Sequence, residues 1–115
     1  MSNQQVEQLE VEIDQARSII ALSDDINKLY SYKPFKNVIL DQYFREEAVR
    51  LVALKGDREF QTPERQEAVL RQMDGIAALN AFLHRIMMAA QNARDSLDEM
   101  QNAQAEALEE DLQGE

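Results

Sequence analysis

TPERQEAVLRQMDGIAALNAFLHRIMMAAQNARDSLDEMQNAQAEALEEDL, residues 62–112, decides the fold. After Pro63 no proline interrupts it, and its apolar residues return every seven. Val69, Ile76, Leu83, Ala90 and Leu97 occupy one heptad position, and Leu79, Ile86, Ala93, Met100 and Ala107 a second. A seven-residue repeat carried over this length predicts one long helix with a narrow packing seam, as in a coiled coil. Thr62 is placed to cap it, Pro63 suits its first position, and Glu64 puts negative charge at the positive helix end. Leu70, Met73, Ala77 and Met87 add a second apolar line, so residues 69–87 form a broad face suited to a domain core. Beyond Ala90 only the narrow line continues. Gly75 lies inside the repeat, and because Met73, Ile76, Leu79 and Leu83 keep their period across it, the helix is expected to continue there.

Working outward, residues 3–30 contain neither proline nor glycine, and Val6, Leu9, Ile13, Ala16 and Ile20 step by three and four. These features predict a first helix, capped by Ser2, with the stripe moving through a stutter onto Ile19, Leu22, Ile26 and Leu29. It is expected to lie antiparallel to the long helix, residues 6–29 against 69–93. Pro34 disfavours helical geometry at Lys33 and fits the first position of a second helix. Read as one α-helix, residues 34–54 would be apolar nearly all round. The reading is therefore a short helix over 34–41, a break at 42–44, and another helix over 45–54 closed by Gly56 in a left-handed C-terminal position. Glu46 and Glu47 read as dipole-stabilising acids at the start of that last helix. Four of the seven aromatic residues fall within 32–44, which places the core there.

The fold class is all-α, a small helical bundle whose long C-terminal helix extends as a coiled-coil-like acidic arm. Residues 1–89 form the core domain, with helices over 3–30, 34–41, 45–54 and 63–89. Residues 90–115 form an acidic helical extension that frays after Glu106 and ends disordered.

Charge is sorted along the chain. The net charge is −10: residues 1–27 carry −5, residues 28–94 carry +3, and residues 95–115 carry eight acids and no base. Acidic ends repel phosphate, and the middle is too weakly basic to favour it, so direct nucleic-acid binding is not expected. The chain has no cysteine, which excludes disulfides, thiolate metal sites and cysteine nucleophiles. Neither a basic start with an apolar leader nor a run of some eighteen apolar residues occurs, which predicts a soluble, intracellular protein without membrane association.

No constellation of catalytic type emerges. His84 is the single histidine and has no Cys companions, so it reads as a surface or edge-of-core residue rather than a ligand. Carboxylates three and four apart, at Asp95, Asp98 and Glu99 and at Glu106, Glu109, Glu110 and Asp111, read as a solvated acidic face. A bundle metal site would require Glu-x-x-His, which is absent. None of the five serines lies in a nucleophile elbow, and Gly56, Gly75 and Gly114 are too scattered for a phosphate loop. No enzyme activity, cofactor or metal is expected.

The segment Tyr32-Lys33-Pro34-Phe35-Lys36-Asn37-Val38-Ile39-Leu40-Asp41-Gln42-Tyr43-Phe44-Arg45-Glu46-Glu47-Ala48-Val49-Arg50-Leu51 resembles one found in small helical proteins of tailed bacteriophages. Asp74-Gly75-Ile76-Ala77-Ala78-Leu79 is similar to a stretch that follows it there. The resemblance covers roughly residues 32–87 and carries no functional residue across. It implies a phage gene product acting in the cytoplasm of the infected bacterial host or incorporated in the virion.

Two functional classes fit these features. One is a structural, scaffolding or assembly-chaperone component that binds a protein partner or itself through the seam at Ala90, Ala93, Leu97, Met100 and Ala107. The other is an acidic inhibitor or nucleic-acid mimic directed at a basic host protein, which the carboxylates of 95–115 would serve.

Overall fold

The computed structural model describes residues 3–114. Among them every regular element is helical: α1 (Asn3–Ser31), a single turn α2 (Lys33–Phe35), a π-helix (Lys36–Glu46), α3 (Glu47–Gly56), a 3-10 turn (Arg58–Phe60) and α4 (Pro63–Gln113). The all-α class and the long C-terminal helix are as the sequence predicts. Ser2, the expected cap of α1, lies outside the described residues.

The 51 residues of α4 run through Gly75 without interruption. Its start is built as anticipated: the Arg65 amide donates to Thr62 Oγ1 at 3.3 Å, and the Gln66 amide donates to the Thr62 carbonyl at 3.0 Å. All ten heptad positions read from the repeat are buried or half-buried. The helix does not fray after Glu106; it continues to Gln113, with Ala107 wholly buried, and the Gly114 amide closes a last turn on the Glu110 carbonyl at 2.9 Å.

The chain divides into two compact units, and the division is not the one anticipated at residue 90. The first comprises Met1–Asp25 and Ile86–Glu115, the second Ile26–Arg85.

In the first unit the two helices lie antiparallel. Arg94 Nη2 donates to Asp24 Oδ1 at 3.1 Å, Arg17 shares a cleft with Gln104, and Leu9 shares one with Ala103. The pairing is thus of residues 6–25 with 86–107, shifted along α4 from the expected 69–93. The α1 contribution is Val6, Ile13, Ala16 and Ser23; that of α4 is Ile86, Ala90, Ala93 and Ala107. Ala16, Ser23, Ala90 and Ala93 are small, which permits close approach of the two backbones. The moving stripe on α1 also differs from the reading. Ile20, Ser23 and Ile26 turn inward, two successive steps of three, whereas Leu22 and Leu29 turn outward. Steps of three overwind the seam, as a stammer does, so the polar Ser23 is buried where Leu22 was expected.

In the second unit the core gathers Leu51, Val69 and Ile76, with Tyr43, Phe44, Ala48, Leu54, Phe60 and Met73 packed on them. This core lies on the first turns of α4. The expected break at 42–44 is absent. The segment instead winds as a π-helix of 11 residues, sealed by the Glu47 amide donating to the Gln42 carbonyl five residues back. Each π turn takes in roughly one more residue than an α turn. The half-buried large apolar residues here, Phe35, Ile39, Leu40, Tyr43 and Phe44, include pairs four and five apart, and α3 continues inward with Ala48, Leu51 and Leu54 at steps of three. Even so, Val38, Val49 and Val52 of this stretch remain exposed.

Three local details depart from the sequence reading. The chain leaves α1 at Tyr32, which is extended (φ −81°, ψ 114°), while Lys33 is already helical. Gly56 takes no positive φ, and α3 stops because Asp57 turns extended (φ −70°, ψ 133°) and accepts from the Glu59 amide at 2.9 Å. Glu46 and Glu47 sit where the π-helix runs directly into α3 and the Glu47 amide already donates to the Gln42 carbonyl, so no free helix end is there for them to cap.

Candidate interaction surfaces

The anticipated partner-binding seam is covered from within the chain. Ala90, Ala93 and Ala107 are buried, and Leu97 and Met100 are half-buried, on the side of α4 that α1 occupies in the first unit. The regular apolar period identified a seam and left its partner open; the partner is α1. Of the acidic residues, Asp95, Asp98, Glu99, Glu106, Glu109 and Glu110 are exposed and Asp111 is half-buried. Asp95 Oδ1 accepts from Gln91 Nε2 at 3.1 Å.

The surfaces left open are others. In the second unit, α3 turns Val49 and Val52 outward, 63% and 60% exposed. Beside Val52 lies a groove of about 230 Å³ between α3 and α4, lined by Phe44, Ala48, Val52, Met73, Ile76, Ala77 and Asn80. Asn80 is its one polar side chain. Such a wall suits an apolar side chain rather than a polar ligand.

A second hollow follows the π-helix, lined by Val38, Ile39, Gln42, Tyr43, Glu46, Glu47 and Arg50. Arg50 Nε donates to Glu47 Oε2 at 2.9 Å, its Nη2 donates to the other carboxylate oxygen, and the same nitrogen reaches Gln72 Oε1 at 3.4 Å on α4. Hydrogen bonding from Arg50 holds the Glu47 carboxyl below its ordinary value. The pair lies at the surface and reaches α4 through the contact with Gln72.

In the first unit the outer side of α1 carries Val11 and Leu22, and between them a shallow groove. Val11 fell outside the stripes read from the sequence, and Leu22 was placed in the seam. The signal for both was present as a second line of positions 11, 15, 18 and 22, diluted by Gln15 and Ser18.

His84 is exposed, and among the described residues no group of three or more His, Cys, Asp or Glu could hold a metal ion. No helix among the described residues is long and apolar enough to cross a membrane. Family models, curated proteins and solved structures gave no match to the chain.

Proposed function

We propose that this protein is a non-enzymatic interaction component that works through helix–helix contacts, as a structural, scaffolding or assembly-chaperone protein of a tailed phage. The observation that carries the reading is the groove of Phe44, Ala48, Val52, Met73, Ile76 and Ala77, with Val49 and Val52 left outward beside it. Burying one such side chain in a partner contributes about 1.5–3 kcal/mol, and leaving two valines in water forgoes that gain. The phage setting comes from the resemblance at residues 32–51 and 74–79, and with it the host cytoplasm or the virion as the place of action.

The test is a photo-crosslinking residue at Val52 in phage-infected cells. The expected product joins this chain to a phage structural or assembly protein, and V49E/V52E abolishes it. Recovery of the uncrosslinked chain alone, at normal abundance, would count against the groove as an interface.

A second reading, an acidic protein that occupies the phosphate-binding groove of a basic host protein, draws on a different observation. The first unit holds fourteen acids and two bases, a net −12, whereas the second holds eight acids and ten bases. A host partner captured at low salt and released at high salt, with V49E/V52E unimpaired, would favour this reading over the first.

A further inference from the structure

The shallow groove on the outer side of α1 is lined by Val11, Asp14, Gln15, Ser18, Ile19 and Leu22 and offers about 430 Å³ of open space. These six residues are the union of two helical holes: 11, 14, 15 and 18, then 15, 18, 19 and 22. Each hole has the i, i+3, i+4, i+7 arrangement that receives one side chain of a facing helix in a coiled coil. Val11 and Leu22 stand at the two ends, 54% and 45% exposed, with the small Ser18 between them.

Charge on the borders selects the occupant. Glu7, Asp14 and Asp25 run along one edge of the stripe and Glu12 lies on the other, all exposed, with no base among them. A second copy meeting this face would bring acid against acid, on a unit that already carries −12. A helix with Lys or Arg beside its apolar seam meets opposite charge at these four positions.

We propose that the outer face of α1 docks an amphipathic helix of a partner protein, one that places two large apolar side chains a turn apart in the holes at 11–18 and 15–22 and Lys or Arg against Glu7, Asp14 and Asp25. This rests on the reading that the protein acts through helix–helix contacts, and it specifies the chemistry of one such partner. Val11 and Leu22 lie about three turns apart, so the docked helix is at least three to four turns long.

The experiment titrates the full-length protein into labelled synthetic 21-residue helical peptides, read by fluorescence anisotropy in moderate salt. The first probe has a leucine seam flanked by Lys and Arg, the second has the same composition with the leucines scattered, and the third has the seam flanked by Glu. The first is expected to bind at least tenfold more tightly than either other. V11S/L22Q weakens its binding at least tenfold with an unchanged helical circular dichroism spectrum, and D14K/D25K shifts preference toward the third probe. Equal binding of the first two probes, meaning attraction by charge alone, overturns the proposal. So does full binding by V11S/L22Q, or a dimer of the free protein that this variant dissociates. A crosslink at Val52 combined with probe binding indifferent to V11S/L22Q removes this proposal and leaves the broader reading in place. Patterned probe binding with no crosslink at Val52 does the reverse for the groove of the second unit.

Discussion

At the scale of single residues, Leu51 and Val49 show how little sequence distance separates core from surface. Leu51 is 0% exposed among Tyr43, Phe44 and Val69, while Val49, two positions earlier, faces away. Leu51→Ala is expected to cost about 2–5 kcal/mol in urea denaturation, and Val49→Ala to stay within about 0.5 kcal/mol of the parent. Gly75 presents the opposite case, a residue whose replacement should help. A Cβ there would meet only Tyr43 Oη, at 3.4 Å, an ordinary contact at the tip of a side chain. Since glycine inside a helix is about 0.8–1.0 kcal/mol worse than alanine, Gly75→Ala should stabilise by about 0.5–1 kcal/mol, seen as a higher denaturation midpoint with the same slope. A loss of stability would show that the backbone bends at Gly75 in a way alanine resists. The Glu47–Arg50 pair adds a weak pH term. With the Glu47 carboxyl lowered in the folded state, its contribution is present above the ordinary value of 4.5 and disappears as pH falls through the lower folded value.

Elements differ in how they solve the same packing problem. The π-helix accommodates a run of large side chains by widening its turn, so that Phe35, Ile39 and Phe44 share a face that α winding would split. The α1–α4 pair does the reverse, using Ala16, Ser23, Ala90 and Ala93 to draw two helices together over little apolar area. Close approach leaves no spare volume, and Ala90→Leu is expected to cost about 1–3 kcal/mol by overpacking, measurable by chemical denaturation. A neutral result would indicate that the two helices can separate freely at that level. The Asp24–Arg94 bond is exposed on both sides, so it aligns the helices more than it stabilises them. Leu97 and Met100, half-buried in the same seam, belong to the pairing of α1 with α4, and charging them would strain that pairing before it touched any outside partner.

For the molecule as a whole, charge is divided between the units: net −12 in Met1–Asp25 with Ile86–Glu115, and +2 in Ile26–Arg85. Self-repulsion in the first unit should be relieved by salt, because at 0.1 M the screening length is about 10 Å. Raising NaCl from about 20 to 500 mM is expected to increase the thermal midpoint followed by helical circular dichroism. A falling midpoint would mean that attractive pairs outweigh the repulsion. Much of the architecture could be read without coordinates. The heptad from Val69 to Ala107, the Thr62 cap and the extent of α1 are all local properties, set by which side chains recur on one face and by which groups can bond exposed amides. The candidate surfaces were less legible. Periodicity defines an apolar face but not what lies on it, so the seam at Ala90, Ala93, Leu97, Met100 and Ala107 looked like a docking site when α1 already covers it. Likewise Val49 and Val52 carry the same apolar signal as Leu51, and only the packing of α3 on α4 decides which of them water reaches. The sequence by itself determined the helices and their apolar stripes, because these follow from neighbours three, four and seven residues apart. Tertiary structure alone decided the π winding, the register of α1 on α4 and the faces left open, because each depends on packing between segments far apart in the sequence.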